Sequence, residues 1–161
     1  MLNSGLFLAV LGAALAVGLA GIGSAKGVGL TGEAAAGLLS EKTDMFGKVI
    51  TLQILPGTQG LYGFIISFMI LINIGVLGGN AAAVTTTQGY LYLASSLPIG
   101  IGGLISGIAQ GNAAVAGISL CAKKPAEFSK AMVSTTLVEI YALLAFIVSL
   151  LSVLAVGGMG V

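Results

Sequence analysis

At 161 residues, with 57% hydrophobic and 7% charged side chains and a mean hydropathy of +1.13, the chain has too little polar surface to cover a water-soluble globule. Composition therefore places it in a membrane. A net charge of +1 without a single Arg excludes the basic face that nucleic acid requires, and Cys121, the sole cysteine, excludes a disulfide or a thiolate metal framework within the chain.

Four apolar stretches, 2–25, 49–77, 89–121 and 131–156, reach the roughly 20 residues that span hydrocarbon, and several exceed it, which predicts tilt or extension beyond the membrane. The first lacks the basic flank of a signal peptide. It carries Gly12, Ala16, Ala20 and Ser24 at a spacing of four, with Gly23 and Gly27 beside them, a stripe that permits close helix contact. Packing within one bundle accounts for this stripe, and so does the crowded inner wall of a ring of copies. Segment 26–48 follows with Lys26, Glu33, Glu41, Lys42, Asp44 and Lys48, and reads as a loop.

The second stretch contains Leu55, Pro56, Gly57, Thr58, Gln59 and Tyr62. Positions 55, 58, 59 and 62 share one helical face. Pro56 has no N–H for the carbonyl of Leu52, so a bend is expected that turns backbone oxygens toward a cavity. Gly57, Gly60 and Gly63 are expected to leave space beside that face for a neighbouring side chain. The connection 78–88 carries no charge. In the third stretch Gly103, Gly107 and Gly111 form another small-residue stripe, Gln110 lies thirteen residues before Lys123, and Cys121 reads as a small buried hydrophobe. Segment 122–130 holds Lys123, Lys124, Glu127 and Lys130. The fourth stretch carries Glu139 as its one charged side chain, nine residues after Lys130, and a carboxylate at that depth costs about 2.5–3.5 kcal/mol, which marks it as functional.

All six lysines fall on one side of a four-helix layout. The positive-inside rule makes loops 26–48 and 122–130 cytoplasmic and both termini external, in a multi-pass protein of the cell (plasma) membrane. The bland role of these lysines is topology and headgroup contact; docking to a soluble partner is the sharper one.

The chain repeats itself. From Phe46 and from Phe128 the even helices align at an offset of 82, matching Lys48 with Lys130, Phe64 with Phe146, Ile65 with Ile147 and Ser67 with Ser149. The predicted fold is thus an all-α membrane protein of two duplicated hairpins in the same orientation, 1–80 and 81–161, the second carrying the acid. Gly57 aligns with Glu139, so one hairpin has a carboxylate and its twin has none. A second acid at position 57 is expected to crowd Glu139.

At membrane depth the polar groups are Glu139, Gln110, Thr58, Gln59 and Tyr62, with the Leu55 carbonyl a further candidate. Each amide or hydroxyl alone has an ordinary role as a helix–helix or helix-internal hydrogen bond. Together they are hard oxygen donors around one negative charge, a set suited to a small monovalent cation. A proton would need only the carboxyl and a dry pocket. The residues therefore favour Na+, with H+ as the alternative.

The segments GIGSAKGVGLTGEAAA, LQILPGTQGLYGF, SGIAQG, AKKP and VEIYALL resemble the rotor-ring proteolipid (K, or c-type) subunit of V-type ATPases, most of all the bacterial sodium-pumping kind, over nearly the whole chain. The resemblance implies a homo-oligomeric ring with odd helices inside and even helices outside. It also implies an ion held by the Leu55 backbone, Thr58, Gln59, Gln110 and the Glu139 carboxylate, with Tyr62 bonding the glutamate. Ile140 and the glycine-rich tail depart from the pattern without removing a ligand.

An ion-bound Glu139 is neutralised and tolerates lipid; a bare one requires a cation, which an Arg-free chain must find in a membrane stator subunit of the a or I type. A central-stalk subunit is the expected contact of the cytoplasmic loops. The chain has no GxxxxGK[ST] loop, so ATP chemistry falls to partners and the chain is not an enzyme by itself. A passive four-helix channel or small transporter, and a purely structural membrane oligomer in which the acid is incidental, are the rival readings.

Overall fold

A computed structural model describes residues 4–79 and 83–159; residues 80–82 of the uncharged connection and the chain ends lie outside the described residues. The helices are α1 (Ser4–Leu39), α2 (Phe46–Ile54), α3 (Thr58–Asn73), α4 (Thr86–Lys123) and α5 (Phe128–Gly158), with α2 and α3 joined end to end by the short 3-10 turn Leu55–Gly57. Counting α2 and α3 as one span, the described residues contain four helical spans long and apolar enough to cross a membrane.

Glycine decides how the spans meet. Helices in lipid gain little from burying apolar surface and associate through close packing. A Cβ on Gly23 would lie 2.6 Å from the carbonyl oxygen of Gly103, and one on Gly107 would lie 2.7 Å from the carbonyl carbon of Gly23. The same backbone-on-backbone approach recurs where Gly5 faces Gly89 and Gly27 faces Gly111, so α1 and α4 run parallel along their whole lengths. The α2–α3 span lies against α1 and α5 against α4, giving two hairpins of like orientation.

The segment 26–48 is not the loop expected from its charges. Helix α1 continues to Leu39, and only residues 40–45 separate it from α2. Gly27, Thr31, Ala35 and Leu38 extend its buried stripe while Lys26 and Glu33 point outward, so the charges ride on the exposed face of a packed helix. Its 36 residues span about 54 Å, well beyond about 30 Å of hydrocarbon. Helix α4 likewise reaches Lys123, which reduces the second expected loop, 122–130, to residues 124–127. The two turns are tied together: Lys42 Nζ donates to the Ala122 carbonyl at 2.6 Å, at the negative end of α4, and Lys48 Nζ donates to the Pro125 carbonyl at 2.8 Å. Two of the lysines thus have a structural duty besides topology.

At the opposite end, Gly75 and Gly79 take left-handed φ values of 71° and 73°, which turns the chain after α3. Thr85 and Gln88 then form a reciprocal capping box that starts α4.

Two apolar clusters fill the bundle. One, nearer the lysine-rich end, contains Leu38, Val49, Leu52, Ala114 and Ile118. The other contains Ala13, Ile66, Ile70, Ile99 and Val153. Between them lies a polar layer drawn from every span: Ser24, Gln59, Ser106, Gln110, Thr135 and the half-buried Glu139.

Candidate functional site

The polar layer is set by Pro56. Lacking an N–H, this residue interrupts the α-helical ladder, and Leu55–Gly57 tightens into a 3-10 turn instead. The Leu55 carbonyl accepts from the Thr58 backbone N–H and also from Thr58 Oγ1 at 3.1 Å. One turn later the Gly60 N–H leaves its own helix and donates to Ser24 Oγ of α1 at 2.8 Å. Pro56 itself is fully buried against Gly27.

The glycines around the turn do not face the site as expected. Gly60 and Gly63 lie against Ser24, Ala16 and Ala20, and a Cβ on Gly57 would point at Val28 at 3.7 Å, so all three make room for α1. The expected crowding of Glu139 by an acid at position 57 is overturned by the same geometry, because position 57 aims at α1.

Thr58, Gln59 and Tyr62 begin α3 on the side that meets α4 and α5. The Tyr62 hydroxyl donates to Glu139 Oε1 at 2.5 Å, and the Tyr62 ring lies 5.2 Å from that of Phe146. Phe146 is two turns beyond Glu139 on α5, so the ring contact and the hydroxyl contact hold the same helix. Gln59 and Gln110, each 0% exposed, meet directly, with Gln59 Nε2 donating to Gln110 Oε1 at 2.5 Å. Gln110 Nε2 donates to the Thr135 carbonyl at 3.2 Å, one turn before Glu139. The structure thus unites the six candidates in one layer: Leu55 with Thr58, Gln59 with Gln110, and Tyr62 with Glu139.

Two contributors escaped the sequence reading. Ser106 lies one turn before Gln110; its Oγ donates to the Val138 carbonyl at 3.1 Å and accepts from Gln59 Nε2 at 3.5 Å. Thr135 is fully buried, with its hydroxyl on the Ala131 carbonyl at 2.9 Å and its own carbonyl holding Gln110. The i, i+4 spacing of each from a candidate was the available signal.

A buried polar atom without a partner costs about 1–3 kcal/mol. Among the described residues Gln59 Oε1 is such an atom. With the Gln110 oxygen, the Thr58 hydroxyl, the Leu55 carbonyl and one carboxylate in the same layer, the donor set is all oxygen with a single charge, the chemistry a small hard cation requires. No cluster of three or more His, Cys, Asp or Glu exists among the described residues, so the layer has no likeness to a transition-metal centre.

Comparison with known proteins places this architecture. The profile of the ATP synthase C subunit family matches twice, over residues 11–70 and 93–152, which reproduces the offset of 82 between the hairpins. The V-type sodium ATPase K subunit of Enterococcus hirae is 51% identical, with 94% of each chain covered. The A-type ATP synthase K subunit of Methanocaldococcus jannaschii is 39% identical over 94% of this chain and 64% of that protein. The 16 kDa proteolipid of the V-type proton ATPase of Ovis aries is 26% identical over 90% of each. With the family matched in both halves and similarity running nearly end to end, the chain belongs to the ATP synthase C subunit family.

Proposed function

We propose that the chain is a rotor-ring subunit of a rotary V-type ATPase that binds one Na+ in the polar layer and carries it across the membrane as the ring turns. The observation that carries this reading is the buried Gln59 Oε1, without a partner among the described residues, beside Gln110 and one helix turn from Tyr62, whose hydroxyl holds Glu139. A proton-only site would need the carboxyl and a dry pocket, and would have no use for an orphaned amide oxygen between two apolar clusters. The ligands proposed are the Leu55 carbonyl, Thr58 Oγ1, Gln59 Oε1, Gln110 Oε1 and the Glu139 carboxylate, with Tyr62 orienting the last. The similarity to the sodium ATPase subunit supports the same ion.

The mechanism follows from the cost of charge in hydrocarbon. Loaded with Na+, the carboxylate is neutralised and the site can sweep past lipid. Emptied, Glu139 must meet a positive group and water before it is reloaded. This chain has no arginine, so the positive group belongs to a stator subunit. Each ion moved against the potential takes about 2.3 kcal/mol per 100 mV. Hydrolysis of ATP in other subunits supplies it, and this chain translocates without being a catalyst itself. The turns 40–45 and 124–127, bound together by Lys42 and Lys48, form a firm cytoplasmic platform for the central stalk, with both termini on the outer face of the plasma membrane. The two hairpins, 1–80 and 81–161, act as one unit with a single site.

Carbodiimide modification of the purified protein tests the proposal. The reagent labels Glu139, and Na+ at fixed pH blocks the labelling. Labelling that ignores Na+ would refute the sodium site and leave the proton reading in its place.

A further inference from the structure

We infer that Ser106, together with the main-chain carbonyls of Thr135 and Val138, fixes which end of the Gln59 amide faces the ion, so that Gln59 presents oxygen and not nitrogen. This rests on the sodium reading above.

A carboxamide has an accepting oxygen at one corner and a donating NH2 at the other, and only its neighbours tell the two apart. A peptide carbonyl accepts and never donates. The Thr135 carbonyl, 3.2 Å from Gln110 Nε2, therefore holds the Gln110 nitrogen toward α5 and leaves Oε1 toward Gln59. That oxygen in turn draws Gln59 Nε2 to 2.5 Å. Ser106 supplies a second, independent constraint. Its hydroxyl proton is engaged by the Val138 carbonyl at 3.1 Å, so its oxygen faces Gln59 as an acceptor, 3.5 Å from the same Nε2. Both hydrogens of Gln59 Nε2 thus have acceptors.

A reversed Gln59 would set its oxygen against the Gln110 oxygen and against a serine oxygen whose proton is already used. The orientation seen is the one in which both hydrogens of Gln59 Nε2 are matched, and it leaves Oε1 buried and partnerless among the described residues. The atom left over is the atom a cation needs. Both carbonyls that impose this order belong to α5, one and four residues before Glu139, so the helix that supplies the charge also sets the polarity of the neutral ligands. Ligands held this way need little reordering when the ion arrives, and such preorganisation raises affinity without adding a contact. Ser106 is a positioning residue, because it acts through Gln59.

The test uses the full-length purified ring and three forms of the chain: parent, Ser106→Ala and Ser106→Thr. Glu139 labelling by carbodiimide is followed at fixed pH as NaCl is raised. Ser106→Ala is expected to need roughly tenfold more Na+ for half-protection, the equivalent of one buried hydrogen bond. Its labelling rate in Na+-free buffer is read beside this, because Ser106 also holds the Val138 carbonyl next to Glu139 and any shift there must be reversed by Ser106→Thr. Ser106→Thr, which restores the hydroxyl, should return half-protection toward the parent value. Should the alanine form not assemble, Ser106→Cys, which keeps the volume with a weak donor and acceptor, puts the same question. Protection of Ser106→Ala at the parent's Na+ concentration would overturn the inference while leaving the sodium site standing. So would a changed Na+-free rate that threonine does not restore, since that pattern marks general distortion. A parent protein indifferent to Na+ would overturn the sodium reading and this inference together.

Discussion

Gly27 is where α1 meets α4 and the proline turn at once, and replacing it with alanine tests how closely that junction is packed. The added methyl would stand 2.7 Å from Pro56 Cβ and nearer still to the Gly107 carbonyl oxygen. Comfortable carbon–carbon contact begins at about 3.5 Å, so α1 would have to retreat by about 1 Å. Neither neighbour yields easily: one is backbone and the other is a fully buried ring. Overpacking of this kind costs about 1–3 kcal/mol, and two rigid contacts put Gly27→Ala near the upper end. Gly47, in the first turn of α2, has nothing within 4 Å of its would-be Cβ, so Gly47→Ala should be neutral or stabilising by up to about 1 kcal/mol. Thermal unfolding of the purified protein in detergent compares the two. Half-protection by Na+ should also rise in Gly27→Ala, because Pro56 backs the Leu55 carbonyl and Thr58. A Gly27→Ala protein that melts with the parent, or a Gly47→Ala protein that loses as much, would refute this view of the α1–α4 contact.

Glu139→Gln should abolish Na+ binding and coupled transport while the ring still assembles, since size is kept and the counter-charge removed; size-exclusion chromatography beside an ion-binding assay reads both. Gln59→Leu and Gln110→Leu should each weaken Na+ binding by about 1–3 kcal/mol, the range for an unmet buried polar partner, measured as Na+ protection from carbodiimide. Tyr62→Phe keeps the ring contact with Phe146 and deletes the donor to Glu139 Oε1, so it should weaken Na+ binding several-fold without loss of thermal stability. A melting temperature falling as far as in Gly27→Ala would assign Tyr62 to packing instead.

Composition and the placement of charge were enough to read four spans, and residue identity was enough to single out Pro56, Gln59, Gln110 and Glu139, because a carboxylate, two glutamines and a proline stand out against hydrocarbon. Helix length was not legible in the same way. Lys26 and Glu33 look like a loop when charge is equated with exposure of the chain, yet a helix that outruns the bilayer carries charge on one face and Gly27, Thr31, Ala35 and Leu38 on the other. The glycines after Pro56 were misread for a related reason: spacing places residues on a face but does not say which neighbour that face meets, and Gly60 and Gly63 meet α1. Ser106 and Thr135 were passed over because serine and threonine commonly bond their own helix, as Thr31 does to the Gly27 carbonyl at 2.6 Å. Their importance lies in the polarity they impose across helices, and a single chain segment does not display that.

Each chain should hold one Na+, through one carboxylate and four neutral oxygens. Radioactive Na+ bound to the purified ring, counted against protein mass, tests it most directly. A ratio near one is expected in the parent and near zero in Glu139→Gln. Binding undiminished in the mutant, or a ratio near two in the parent, would contradict it.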